Sequence, residues 1–455
     1  MSHYKPYPAY RDSGVEWIGD VPSCWQVKRL RQVASFTNSG IDKKSYEDQE
    51  QVSLCNYTDV YYNEFITADM PFMQATASKD EIAQFTLKKG DLIITKDSED
   101  PSDIGIPALV IEDAPGVVCG YHLTLIRSDE LATARLLHRT LQSTPTHAYF
   151  FIESPGITRY GLGQDVIGDL RVCMPPANEI SRIADCIDRE TKRIDSLITK
   201  KTRFIELLKE KRQALITHAV TKGLDPNVKM RDSKVEWIGA IPAQWLVAQL
   251  GKISIARCDG PFGSGLKSEH YQSEGVRVIR LQNIGWAAFK DGNEAFISHE
   301  HWQDVLGCGH EVLPNDLLMG GLGDDKNPLG RACVAPDNLG NAMVKADCYR
   351  FRLDKNRATP EFIALALSAT ARSECGYLAT GATRDRLNLG LASARVVPLP
   401  PPGEQVDIVT FLSRATDRID RLTEKTQHSI DLLKERRSAF ITAAVTGQID
   451  LREPA

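Results

Sequence analysis

The chain is short of several things. Its 455 residues contain no run of apolar side chains approaching the ~20 that a membrane-crossing helix needs. The opening stretch MSHYKPYPAYRDSG has no apolar core of the kind a secretory signal carries. The ten cysteines are scattered, with no CxxC pair and no cysteine–histidine quartet at zinc spacing. They read as small apolar side chains in a reducing cytoplasm, and no metal site is expected. A GxxxxGK[ST] phosphate loop is absent, which argues against an ATP-driven motor. Positive charge is also scarce: 55 Lys and Arg against 60 Asp and Glu leave a formal net charge of −5. A chain coated in positive charge is excluded, so any binding of nucleic acid must use local patches or partners.

Tryptophan is the scarcest residue type, with six in all, and four of them stand in two copies of one phrase. RDSGVEWIGDVPSCWQVKRL (Arg11–Leu30) aligns without gaps on RDSKVEWIGAIPAQWLVAQL (Arg231–Leu250). A longer repeat follows each box. Residues Glu190–Asp225 align on Ala415–Asp450, with Arg193-Ile194-Asp195 on Arg418-Ile419-Asp420. The order is box, variable region, helix, and then the same again, so the chain is an internal duplication.

The second repeat has helical periodicity. Ile180, Ile187, Ile194, Leu208 and Leu215 share one heptad position, and Ile183, Leu197 and Phe204 fall three residues further on. Leu412, Ile419, Leu433 and Phe440 repeat the first line, with Ile408 and Leu422 as partners. This spacing predicts a coiled-coil seam with charged flanks. MPPANE and LPPPGE put proline before each helix, and TKGLDP and TGQID put glycine near each end. Lys201 and Thr426 are polar breaks at matching seam positions. Such rods of ~40 residues would be ~60 Å long. From Glu179 to Lys222 there are eleven Lys and Arg against seven Asp and Glu, so this rod is locally basic and could lie along phosphates.

Between box and helix the two regions look unrelated, apart from a faint echo at an offset of 225. KKGDLIITK (Lys88–Lys96) lies over LPNDLLMGG (Leu313–Gly321), and Gly105 lies over Gly330. Short β-rich runs punctuated by Gly, Pro, Asn and Asp predict an α+β fold for both regions. The expected architecture is two pseudo-symmetric heads of mixed α/β structure joined by two long antiparallel coiled-coil helices. The expected boundaries are residues 1–175 for the first head (box 11–30) and 176–222 for the first helix. The second head covers 223–397 (box 231–250), and 398–455 hold the second helix and tail.

A fixed frame presenting two unlike heads suits a split DNA site, because rigid rods set the distance between two half-sites and unlike heads make the halves differ. The order of elements here resembles the specificity subunit of type I restriction–modification systems. So do YRDSGVEWIGDVPSCW, GPFGSGLKSEHYQSEGVRVIRLQNI (Gly260–Ile284) and the ending PLPPPGEQ…RIDRL…LLKERRSAFITAAVTGQIDL. The resemblance covers nearly the whole chain. It implies two target-recognition domains, each reading one half of an asymmetric double-stranded DNA site, with the two helices as a ruler. It implies a cytoplasmic, non-catalytic chain without a cofactor of its own. The partners implied are two methyltransferase subunits and two motor-nuclease restriction subunits. S-adenosylmethionine, ATP and Mg²⁺ would belong to those partners.

Base reading needs bidentate donors and acceptors: Arg or Lys for guanine, Asn or Gln for adenine. In the second head ATGATRDRLNLG (Ala379–Gly390) offers Thr383, Arg384, Arg386 and Asn388, beside small residues that let the backbone come close. The matching loop of the first head, ITRYGLGQDVIG (Ile157–Gly168), offers Arg159, Tyr160 and Gln164. Ser264 and Lys267 stand on a Gly-rich loop suited to a DNA backbone contact. In RVIRLQNIGW a strand alternation would place Arg280 and Gln282 on one face, where they could read bases. Lys96 opens an acidic run, DSEDPSD, whose carboxylates could accept from cytosine N4, although a solvated turn explains them too. His122 and His310 are isolated and read as structural. Trp17, Trp25, Trp237 and Trp245 are large anchors for head–coil packing or subunit docking, and Ile194, Leu208, Ile419 and Leu433 serve the seam. Two rival classes remain: an enzyme that modifies DNA itself, and a coiled-coil scaffold without DNA. For a methyltransferase the nearest string, DDKNPLG, lacks the second proline and aromatic of an Asn/Asp-Pro-Pro-aromatic motif. For a nuclease, GLGDDK has suitable residue types but no supporting motif.

Overall fold

The structure is a computed structural model that describes residues 4–262, 265–324, 326–378 and 386–452. The candidates Ser264, Thr383 and Arg384 lie outside the described residues. The chain divides into two compact units that are not continuous in sequence. One comprises Met1–Arg203 with Gln427–Ala455, the other Phe204–Thr426. Each therefore takes part of both long helices.

Those helices run from Ala177 to Lys222 and from Pro402 to Val445, 46 and 44 residues. Proline precedes or opens each, and a glycine in the left-handed region ends each: Gly223 at φ +78° and Gly447 at φ +73°. In the first unit the start of the first helix lies against the end of the second, where Arg437 Nε meets Asp195 at 2.8 Å. In the second unit the end of the first helix lies against the start of the second, where Arg212 Nε meets Asp420 at 2.9 Å. The two ion pairs join equivalent residues of the repeat with the roles of the helices exchanged.

The seam differs from expectation in part of its second line. Leu197, Phe204 and Leu422, expected inside, are each 41 % exposed, whereas Ile205 and Ile430 are 8 % and 4 % exposed. The inward residues Ile187, Thr191, Ile194, Ile198, Lys201, Ile205, Leu208 and Arg212 alternate by three and four. The second line thus lies four residues beyond the first. Its polar members disguise it. Thr191 and Thr416 donate their hydroxyls to the carbonyls of Ile187 and Leu412, and Arg212 is spent on Asp420. Apolar patterning alone points to the neighbouring line, which is buried as expected at Ile183 and Ile408 but faces outward at Leu197, Phe204 and Leu422.

The heads share a plan that their sequences barely show. In the first unit strands Ser35–Asn38, Leu123–Arg127, Leu92–Thr95, Pro107–Val110 and Phe65–Ile66 form one sheet in that order. In the second unit Ser254–Cys258, Cys348–Leu353, Leu317–Gly320 and Ala332–Val334 form a sheet in the same order. Each head also has a second sheet with a parallel pair: Glu50–Cys55 beside Ala114–Cys119, and Val276–Ile279 beside Ala342–Val344. The central strands are buried on both faces, which is why they read as apolar runs without alternation. Gly105 at φ +76° and Gly330 at φ +75° stand at one bend, 225 positions apart. A Cβ on Gly105 would lie 2.3 Å from the Phe150 ring, and one on Gly330 would lie 2.7 Å from Cys375 Sγ, again 225 positions on from Phe150.

The repeated box is a hydrogen-bonded hairpin. Arg11 donates to the Trp25 carbonyl at 2.7 Å and Arg231 to the Trp245 carbonyl at 2.6 Å. Asp12 and Asp232 accept from the backbone two residues on, closing the turn that Gly14 and Lys234 enter with positive φ. The hairpin drives one indole into each core. Trp25 packs with Phe440, Ile441 and Val445 at the end of the second helix. Trp245 packs with Ile216, Ala219 and Val220 at the end of the first. Trp17 is half-exposed and stacks on Tyr149 at 5.5 Å, while Trp237 packs at the edge of the second core.

Candidate functional site

The structure brings together two stretches that are more than 60 residues apart in the first head. Strand Asp97–Ser98 pairs with Tyr160–Gly161, so the acidic run lies beside the loop before the long helix. In the second head Leu322 bridges to Arg386, and these positions are 225 residues on from Asp97 and Gly161. The same corner of the fold is therefore built twice, and its chemistry differs.

In the first head the corner is acidic and aromatic. Asp97 accepts from Lys96 Nζ at 2.6 Å and pairs with His122 Nδ1 at 2.8 Å. Burial alone would raise the Asp97 carboxyl, but these two bonds outweigh it and hold the group below its usual range. Lys96 also lies over the Tyr121 ring, 5.0 Å from its centre, so this ammonium is engaged rather than projecting. Arg159 is exposed and lines a cavity of about 470 Å³ with Tyr57, Tyr61, Asp97, Glu99 and His122. Tyr57 and Tyr61 stack at 5.5 Å. Tyr61 donates to Asp103 at 2.6 Å, and this bond, with some burial, pushes its phenol up to about 12, so it remains a hydroxyl at neutral pH. Tyr160 is half-buried in the paired strand, and Gln164 begins the short helix Gln164–Asp169 with its side chain exposed.

In the second head Arg386 pairs with Asp347 at 2.8 Å and lies over the Phe262 ring at 5.4 Å. Asp347 stands 225 residues on from His122. Asn388 acts on its own backbone neighbourhood, where its Oδ1 accepts from Leu391 N at 2.8 Å and caps the helix Leu389–Ala394. Lys267 is exposed, with Glu269 3.6 Å away. The expected strand through Arg280 and Gln282 ends early. The strand is Val276–Ile279, and Leu281–Asn283 is a 3₁₀ turn. Asn283 causes the break by bonding back to the Arg280 backbone N–H at 3.0 Å, so Arg280 and Gln282 do not share a strand face. Arg280 Nη2 donates to the Asn293 carbonyl at 2.5 Å, and Gln282 is exposed. Asp324 closes a turn, accepting from the backbones of Lys326 and Asn327 at 2.9 and 2.7 Å.

Sequence reasoning missed the tyrosines and set His122 aside as isolated. The offset of 225 was the available signal. It places His122 over Asp347, beside the arginine already singled out. It also missed the anchor between head and helix in the first unit. There buried Arg139 joins Glu64 and Asp188, and Arg437 reaches both Glu64 and Asp195. Among the described residues no cluster of His, Cys, Asp and Glu could hold a metal ion, and no helix is long and apolar enough to cross a membrane.

No family model matches the chain. Curated relatives do. A protein of Methanocaldococcus jannaschii, named as the type I restriction enzyme MjaX specificity subunit, is 22 % identical over 96 % of this chain and 96 % of its own. The StySPI specificity subunit of Salmonella potsdam is 19 % identical over 95 % of this chain and 90 % of its own. The EcoKI specificity subunit of Escherichia coli K12 is 20 % identical over the same shares. Among solved structures, a chain described under complex assembly and conformational transition of the type I restriction–modification system superposes with TM-score 0.69 at 14 % identity. It covers 94 % of this chain and 99 % of that one. The HsdS subunit from Thermoanaerobacter tengcongensis superposes with TM-score 0.52 at 15 % identity, covering 94 % of this chain and 98 % of its own.

Proposed function

We propose, from the premise that this chain belongs with the specificity subunits of type I restriction–modification systems, that it selects the DNA sequence on which such a complex acts. It reads a bipartite, asymmetric double-stranded site, one half with each head, and docks two methyltransferase and two restriction subunits. The observation that carries this reading is the likeness to named specificity subunits over 95 % or more of the chain. The duplicated corner supports it. A common sheet order presents Asp97 and His122 in one head and Leu322 and Asp347 in the other. Unlike reading faces on a like frame are what two different half-sites require.

The chain itself catalyses nothing in this reading. S-adenosylmethionine, ATP and Mg²⁺ act on the partner subunits, and the work is done in the cytoplasm, where the host DNA lies. With a net charge of −5, this chain alone binds DNA weakly and with a steep salt dependence, and the methyltransferase subunits add phosphate contacts. The test is a genome-wide map of N6-methyladenine in the host with and without the gene. A split, asymmetric methylated motif that vanishes on deletion is expected. An unchanged methylation pattern overturns the proposal.

A further inference from the structure

The cavity beside Arg159 is more than a gap between loops, because most of its polar groups are already committed. Asp97 is spent on Lys96 and His122, and Asp103 on the Tyr61 hydroxyl. Asp100 accepts from the backbone and hydroxyl of Ser102 at 2.9 and 2.7 Å. Two charged groups on the wall remain. Among the described residues, the side chains of Glu99 and Arg159 have no hydrogen bond or ion pair, with each other or with anything else. Both are exposed. The wall therefore holds a carboxylate acceptor and a guanidinium donor that are unspent, next to the stacked rings of Tyr57 and Tyr61.

That pair is the complement of one particular surface. In the major groove a G·C pair shows the N7 and O6 acceptors of guanine next to the N4 donor of cytosine. Arginine is the common partner of the first and a carboxylate of the second. A phosphate would find Arg159 but would also face the Glu99 and Asp100 carboxylates, whereas a G·C edge offers an acceptor to Arg159 and a donor to Glu99, so the base pair is the better occupant. The corresponding corner of the second head differs among the described residues: Asp324, at the offset of Glu99, is spent on the turn at Lys326 and Asn327, and Leu322 stands where the first head has Asp97, while Arg384, at the offset of Arg159, lies outside the described residues.

We propose that this cavity reads a G·C pair in the half-site of the first head, with Arg159 donating to guanine and Glu99 accepting from cytosine. The inference rests on the functional reading above and adds the residues and the base pair.

The experiment uses the full chain, produced with its methyltransferase subunits in cells without other adenine methylation. Methylated motifs are mapped for the wild type and for Arg159→Ala, Arg159→Lys and Glu99→Gln. The expected wild-type motif is split, with a G·C pair in one half. In the variants discrimination at that position falls on the order of tenfold or more, and the other half keeps its sequence. Glu99→Gln is isosteric at an exposed position, so its result stands even if Arg159→Ala folds poorly. Variants that keep the full motif overturn the proposal. So does a uniform fall in methylation with the motif unchanged, which would assign these charges to a protein partner. A wild type that methylates no split motif removes the functional reading and the cavity together. A split wild-type motif with indifferent variants removes the cavity alone.

Discussion

Single residues hold the heads in shape at points where nothing larger would fit. Gly105 combines a positive φ with the close approach of Phe150, whereas Gly116 has φ +79° and open space around it. Gly116→Ala isolates the backbone strain, about 1–3 kcal/mol. Gly105→Ala adds the clash, so its thermal unfolding midpoint should fall further than that of Gly116→Ala. Equal falls would mean that Phe150 moves aside without loss. His138 gives a pH test. Burial, seconded by the neighbouring Arg139 charge, lowers this imidazole from 6.5 to about 3 in the folded chain. Its contribution to stability is therefore complete above the unfolded value of 6.5 and is lost as pH falls from there toward about 3. In that window the slope approaches ~1.4 kcal/mol per pH unit from this group. Urea unfolding of the wild type between pH 7 and 5 should show the decline, and His138→Gln should flatten it. A slope unchanged by the substitution would place the acid sensitivity elsewhere. Gly105 was legible because the repeat offset laid it over Gly330. Tyr57 and Tyr61 were not, because a cavity wall gathered from four separate stretches has no spacing of its own along the chain, and His122 could be found only through the same offset, which lays it over Asp347.

At the scale of elements, the long helices show how far patterning reaches. Their existence and approximate limits follow from heptad spacing, flanking prolines and terminal glycines. The facing line does not, because a seam that tolerates Thr191, Lys201 and Arg212 leaves its apolar members too sparse to be told from surface leucines. Exposure and burial now separate two adjacent residues. Ile205→Ala empties a packed site and should lower stability by about 2–4 kcal/mol. Phe204→Ala at the neighbouring exposed position should lower it by less than about 1 kcal/mol. Chemical denaturation of both variants decides between the two lines, and the reverse order would restore the one first expected. The Arg212–Asp420 pair is partly solvated, with side-chain exposures of 34 % and 49 %. A double-mutant cycle should give a coupling of no more than about 1 kcal/mol. The pair's value is then register rather than strength, since Arg437 and Asp195 repeat it in the first unit.

At the scale of the whole molecule, the duplication was legible because boxes and helices kept their sequences while the heads kept only their sheet order. What the repeats did not reveal is that each compact unit closes with chain from the far side of the repeat. The core of the first unit takes Phe440, Ile441, Val445 and Leu451 from the end of the chain, packed around Trp25. Tyr10 reinforces this closure by donating to the Gly447 carbonyl at 3.0 Å, and Gln448 does so by donating to the Asp20 carbonyl at 2.6 Å. A fragment ending at Asp225 contains the first box, the first head and the first helix, yet lacks every one of those core residues. It does carry their repeats: Leu215, Ile216 and Val220 stand 225 positions before Phe440, Ile441 and Val445. In the intact chain that helix end packs with Trp245, in the second unit. Within one fragment the same helix cannot both leave the head and return to cap it, so the missing side chains can come only from a second copy. The fragment should therefore be a dimer whose unfolding midpoint rises with concentration, or else remain unfolded. Sedimentation equilibrium combined with circular dichroism distinguishes these states. A fragment that is monomeric and fully folded would mean that the head closes its core without the second helix, and that the exchange of helix ends between repeats is not what holds each unit together.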